Sequence, residues 1–272
     1  MGRLKFHSRG TGGSVLLCLH GFLGEGSDWA EFADAFLVHA PEWQLALIDL
    51  PGHSEENLGW ICPSADEFSQ SLRDFVAAEG WGTAAIAGYS LGGRLGLQTA
   101  LSFPEAFPVF IGVSTTAGID DEAERARRVD SDSALASRLR SGGDFAGFLR
   151  EWWHQPVFAS PARLGDDLER FVTSRQRRDP VRMAACLETW SSGRMPSHWF
   201  TLPFYPGRTL MLSGEVDTKY TATAERMQAG FQNAEHMVVP GAGHQLLMEK
   251  PQEVARAMAA FLNQYKRSRA AW

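Results

Sequence analysis

Short runs of apolar residues alternate along this chain with longer stretches in which apolar positions recur every three or four residues. Val15, Leu16, Leu17, Cys18 and Leu19 form the first run, stopped by His20-Gly21. Residues 45–49, 84–87, 109–113, 209–212 and 236–239 form others. Runs of this length without polar alternation predict strands buried on both faces. Helical spacing marks residues 29–37, 64–78, 91–101 and 251–265, with Phe68, Leu72, Phe75 and Val76 on one side of the second. Ser27 or Asp28 can cap the first of these helices. Buried strands alternating with amphipathic helices predict an α/β fold, with a mostly parallel sheet, right-handed crossovers and helices on both faces.

The alternation lapses between about Gly118 and Pro206. That stretch opens on a charged run from 120 to 128, then carries Phe145, Phe148, Trp152, Trp153, Phe158, Phe171 and Trp190 on apparent helices. It reads as a helical cap, residues 118–206, inserted into a core made of residues 1–117 and 207–272. Helices that simply complete the core fit the same pattern.

Composition narrows the partners. The chain has 272 residues, 44% hydrophobic and 21% charged, and its 26 Lys and Arg against 32 Asp and Glu leave a net charge of −6. A nucleic-acid partner calls for a basic footprint, which this balance lacks. An anionic small molecule is still admissible, because the local field of a pocket can oppose the global sign. The apolar runs are strand-sized, so no membrane span is expected. Residues 1–13 are polar and Gly-rich, without the apolar core of a signal peptide. Cys18, Cys62 and Cys186 stand far apart in the sequence, which predicts neither a disulfide framework nor a structural zinc site and points to a reducing cytoplasm.

Gly88-Tyr89-Ser90-Leu91-Gly92 matches G-x-S-x-G between a strand-like and a helix-like segment. In that context a sharp turn lifts Ser90 above the sheet edge, while the flanking glycines let the backbone pass. A Gly-rich turn with a capping serine is the plainer alternative. Asp217 follows the run 209–212 and His244 follows the run 236–239, giving the order Ser, Asp, His of a hydrolase triad. Loops at the carboxyl ends of parallel strands surround one crevice, so the three can converge. His244 can then take the Ser90 proton while Asp217 holds the other ring nitrogen. The backbone N–H groups of Phe22, after the first strand, and of Leu91 would form an oxyanion hole. No metal-ligand spacing appears, and none of this chemistry calls for a cofactor.

These segments resemble the α/β-hydrolase superfamily over nearly the whole chain, and within it the 2-succinyl-6-hydroxy-2,4-cyclohexadiene-1-carboxylate synthase family. The likeness rests on Leu19-His20-Gly21-Phe22-Leu23-Gly24, Asp49-Leu50-Pro51-Gly52-His53, Gly88 to Arg94, Trp152-Trp153-His154-Gln155-Pro156-Val157-Phe158, and Gly214 to Tyr220. Arg94 directly after Gly92-Gly93 and the tryptophan block are the segments most specific to that family. Ser54, Trp153 and His154 depart from its usual residues. The resemblance implies a lyase that eliminates pyruvate from a tricarboxylate enolpyruvyl cyclohexene in menaquinone or phylloquinone biosynthesis, with Ser90 as base. It implies an arginine-lined substrate pocket built from Arg94, Arg128 and Arg175, with Tyr89, Trp152 and His53. Arg125, Arg127, Arg177 and Arg178 lie close enough to compete for the two cap positions. Planar guanidinium forks suit carboxylates better than ammonium groups do.

A serine hydrolase of small esters or carbon–carbon bonds would use the same triad, and a binding protein of this fold could keep the pocket without turnover. The sequence leaves the oligomeric state open.

Overall fold

A computed structural model of the chain describes residues 4–53, 62–160 and 167–270. Seven strands make one sheet, in the order β1 (Lys5–Arg9), β3 (Trp43–Asp49), β2 (Ser14–Leu19), β4 (Ala85–Tyr89), β5 (Val109–Val113), β6 (Arg208–Gly214) and β7 (Ala234–Val239). Every pairing is parallel except that of β1 with β3. Successive side chains of a strand leave by opposite faces, and both faces are buried here. Val15, Leu17 and Leu19 of β2 join one apolar cluster with Phe68, Leu72, Leu95 and Met227, while Leu16 and Cys18 join another with Phe32, Phe36, Met258 and Leu262. The first face is therefore covered by α2 (Ala65–Ala78), α3 (Leu91–Ser102) and α8 (Thr218–Gly230). The second is covered by α1 (Ala30–His39) and α10 (Pro251–Ala270), which pack on each other. This is the α/β architecture expected from the alternation, a mostly parallel sheet with helices on both faces.

Helix starts follow their caps. Ser64 accepts the Glu67 amide and the Glu67 carboxylate accepts the Ser64 amide, closing a capping box ahead of α2. At α1 the outcome differs from expectation. A 3-10 turn, Gly26–Trp29, precedes it, and Asp28 turns back to accept the Glu25 amide at 3.0 Å instead of capping Ala30. Two elements carried no readable signal. β1 is a polar edge strand with exposed residues, and α8 has apolar residues too sparse to mark a face.

Between β5 and β6 the chain forms α4 (Glu122–Arg140), α5 (Phe145–Trp153), α6 (Asp167–Arg175) and α7 (Pro180–Thr189). They share an apolar cluster of their own, with Leu139, Phe148, Leu149, Trp153, Phe171, Met183 and Leu187. Leu23, from the loop after β2, inserts into it fully buried. After α7 the chain returns to the main core, where Trp190, Met195, Leu202 and Tyr205 join the first cluster. Among the described residues no helix is long and apolar enough to cross a membrane.

The cysteines correct an expectation. Cys62 and Cys186 form a disulfide with Cα atoms 5.3 Å apart, although 124 positions separate them in sequence, and Cys18 stays a buried free thiol. The spacing gave no hint because the pair is made by topology. Cys62 lies just ahead of α2 and Cys186 on α7, and both sulfurs pack where a Cβ on Gly52 would stand.

Candidate active site

β4 passes into α3 through Ser90, whose φ of 51° and ψ of −108° are rare for a residue with a side chain. The turn is held by the Ser90 amide donating to the Val113 carbonyl at 2.9 Å and by Thr115 Oγ1 donating to the Ser90 carbonyl at 2.8 Å. The flanking glycines are steric necessities, since a Cβ at Gly92 would fall 2.3 Å from the Leu19 carbonyl oxygen. At the next strand ends stand the two partners. Asp217 caps α8 and His244 follows β7, both buried. His244 Nδ1 is 2.7 Å from Asp217 Oδ2, and Nε2 is 3.3 Å from Ser90 Oγ. A carboxylate only accepts, so Nδ1 carries the proton and Nε2 is left to accept from the hydroxyl. The rings of Tyr220, Tyr89 and Phe158 surround the imidazole at 4.4, 5.5 and 5.7 Å between centroids.

The loop after β2 is braced from behind. His20 Nε2 accepts the Leu50 amide at 3.0 Å, which leaves Nδ1 to donate to the Gly21 carbonyl at 2.8 Å. Burial lowers the pKa of this ring to about 3, with the Arg178 and Arg175 charges adding to the effect. Leu23 adopts φ 61°, and its carbonyl accepts from Arg175 Nε at 2.9 Å and Arg178 Nη1 at 2.7 Å. The amides of Phe22, on this loop, and of Leu91, at the start of α3, donate to no described group. Two donors beside Ser90 are what an oxyanion site requires.

A cavity of about 640 Å³, including its open mouth, lies over Ser90. Phe22, Tyr89, Trp152 and Arg175, each singled out in the sequence, line it. Asp28, Phe158, Phe171, Gln245, Leu247 and Met248 line it as well. Of these, Phe158 closes the tryptophan block and Gln245 follows His244; the others carried no signal, because only the folded arrangement of their elements brings them there. The expected guanidinium lining reduces to Arg175, which is already paired with Asp28.

Arg94 and Arg128 stand outside that wall. Arg94 Nη1 donates to the Trp190 carbonyl at 2.8 Å and has no carboxylate partner among the described residues. Burial, then repulsion from Arg128, lowers its pKa to about 10. Arg128 Nε pairs with Asp132 at 2.8 Å. Both charges act on half-buried Tyr220, the ring nearest His244. His53 is not at the cavity either. It is buried against Trp190, His20 and Phe22, with Nδ1 near the Pro51 carbonyl and Nε2 without a partner among the described residues. Burial, then the His20 ring, holds its pKa well below the ordinary histidine value. Ser54 lies outside the described residues. No described group of three or more His, Cys, Asp or Glu side chains is arranged to hold a metal ion.

The pattern defining the alpha/beta hydrolase family matches residues 16–257. Over 255 residues the chain is 31% identical to the 2-succinyl-6-hydroxy-2,4-cyclohexadiene-1-carboxylate synthase of Escherichia coli O1:K1 / APEC, covering 91% of this chain and 93% of that one. The enzyme of the same name from Serratia proteamaculans is 30% identical over 91% of this chain and 92% of its own. Among solved structures, MenH from S. aureus superposes with a TM-score of 0.88 at 27% identity, covering 98% of this chain and all of that one. The chain therefore belongs to the alpha/beta hydrolase family and, within it, to the 2-succinyl-6-hydroxy-2,4-cyclohexadiene-1-carboxylate synthases.

Proposed function

We propose that this protein is a lyase that eliminates pyruvate from 2-succinyl-5-enolpyruvyl-6-hydroxy-3-cyclohexene-1-carboxylate to give the 2,4-cyclohexadiene product of quinone biosynthesis. The observation that carries the reading is the hydrogen-bonded chain Asp217–His244–Ser90 beneath a cavity flanked by two unoccupied backbone donors. In this reading Ser90 removes the ring proton at C2, passing its own proton to His244, and Asp217 stabilises the imidazolium. The C2–H electrons form the C2–C3 double bond, the C3–C4 double bond moves to C4–C5, and the C5–O bond breaks to release the enolate of pyruvate. C2 is α to the succinyl ketone, so charge builds on that carbonyl oxygen. The amides of Phe22 and Leu91 are the groups to receive it.

The substrate carries three carboxylates. Arg94 is the cation best suited to one of them, because it is half-buried with no carboxylate partner among the described residues. Arg128 and Arg175 would join it only by exchanging Asp132 and Asp28 for substrate. Tyr89 and Trp152 would supply apolar walls, and His53 would support Phe22 from behind. Residues 118–206 act as the cap over a core of 1–117 and 207–272. The reading places the enzyme in the cytoplasm, since a trianion crosses no membrane unaided.

Incubating the protein with the enolpyruvyl substrate tests the proposal. Pyruvate and the absorbance of the conjugated diene rise together at one rate if it holds; substrate left intact sinks it. A second reading has support from the cavity wall, where Phe22, Trp152, Phe158, Phe171, Leu247 and Met248 are apolar. Hydrolysis of a small ester through acylated Ser90 suits such a wall. Ester turnover far above elimination, with a trapped acyl-serine, would favour it.

A further inference from the structure

We infer that Glu249 is a positioning residue that fixes His244 and ties it to the cap segment that carries Ser160. The inference rests on the triad reading given above. Glu249 sits in the short helix α9 (Leu246–Glu249), and its carboxylate turns back over the loop that carries the histidine. One oxygen accepts the Gly243 amide at 2.6 Å, and the other accepts the Gln245 amide at 3.3 Å. The amides of the two residues flanking His244 are therefore clamped by one carboxylate, which restrains where the imidazole leaves the backbone. Neither amide serves a strand or a helix, so without Glu249 both would be left short of an acceptor.

The third donor comes from the cap. Ser160 Oγ donates to the oxygen that holds Gly243, at 2.6 Å. Two positions earlier, Phe158 packs its ring 5.7 Å from the His244 ring and lines the cavity. The approach requires glycine at 243, because a Cβ there would fall 2.7 Å from the Ser160 Cβ. One cap segment thus touches His244 by a ring and its loop by a hydroxyl. Seating of that segment thus helps to hold the imidazole between Asp217 and Ser90.

The test reads the proton on His244 Nδ1, whose low-field NMR resonance reports the bond to Asp217 without any substrate. Glu249→Ala should broaden or shift that resonance and lower kcat by about tenfold or more, with KM within about twofold, because sub-ångström misplacement of a catalytic group acts on the chemical step. Glu249→Gln, which keeps an acceptor oxygen, should recover part of both. Ser160→Ala, which leaves the carboxylate in place, should show the same changes at a smaller size. A folded Glu249→Ala protein with an unchanged resonance overturns the inference, whatever its kcat. If that variant does not fold, an unchanged resonance and kcat in Ser160→Ala overturn it. Wild-type protein that shows the resonance but releases no pyruvate overturns the proposed reaction, and the clamp is then judged on the resonance alone.

Discussion

Arg94 Nη1 reaches across from α3 to the Trp190 carbonyl, 96 positions away in sequence, at 2.8 Å. A guanidinium on the core is thereby held by the stretch that follows α7, with Met195 Sδ as its other partner at 2.9 Å. Backbone and thioether leave the positive charge uncompensated, and burial depresses its pKa to about 10. Such a position costs stability, and in the proposed reaction it would receive one of the substrate carboxylates.

Arg94→Met is expected to raise the thermal midpoint by about 2–4 °C, the shift that 1 kcal/mol gives a chain of this size. In the same protein KM for the trianion should rise at least about tenfold, as for a lost charge-assisted hydrogen bond. Arg94→Lys should not restore it, since an ammonium cannot offer the fork. Calorimetry and steady-state kinetics decide it; a lower midpoint with normal KM counts against the assignment.

Ser90→Ala should abolish elimination, by roughly a thousandfold or more. Ser90→Gly should be equally inactive yet more stable by about 1 kcal/mol, because glycine tolerates the positive φ that serine holds under strain. Urea titration of the two variants reads the difference. Equal stability would mean the turn is unstrained.

Acid should unfold the protein through two buried rings. The His20 pKa is lowered to about 3, and that of His53 also lies well below 6.5. Below about pH 6.5 the unfolded chain takes up protons that the folded chain refuses, so stability falls as pH falls. Each ring contributes about 1.4 kcal/mol per pH unit within its window, and for His20 that window closes near pH 3. His20→Gln should flatten the dependence between pH 6 and 4 by about one proton. Denaturant midpoints across that range would refute the sign if they stayed level.

The Cys62–Cys186 bond closes a long loop and should contribute about 2–4 kcal/mol. Thiol titration of unreduced, denatured protein should find one free sulfhydryl, that of Cys18, and three after reduction. Three before reduction would show the pair open. Trapping thiols at the moment of cell lysis would also test the cytoplasmic setting, where such bonds are rare.

Much of the architecture was legible along the chain because its signals are local. Residues 109–113 form β5 as read, and Ser64 and Glu67 mark the start of α2 by their own side chains. Strands buried on both faces cannot hide their composition. β1 could, being a polar edge whose place depends on pairing with β3. The convergence of Ser90, Asp217 and His244 was legible for a related reason, since each follows a strand and parallel strands end at one crevice.

What only the tertiary structure decided depends on contacts between segments remote in sequence. It set Arg175 against Asp28, turned His53 away from the cavity, brought Cys62 to Cys186 and laid Glu249 over the His244 loop. A sequence can show that a charged or polar side chain exists. Whether it faces a ligand or a neighbour depends on which partner the folded chain brings within about 3 Å, the reach of a hydrogen bond.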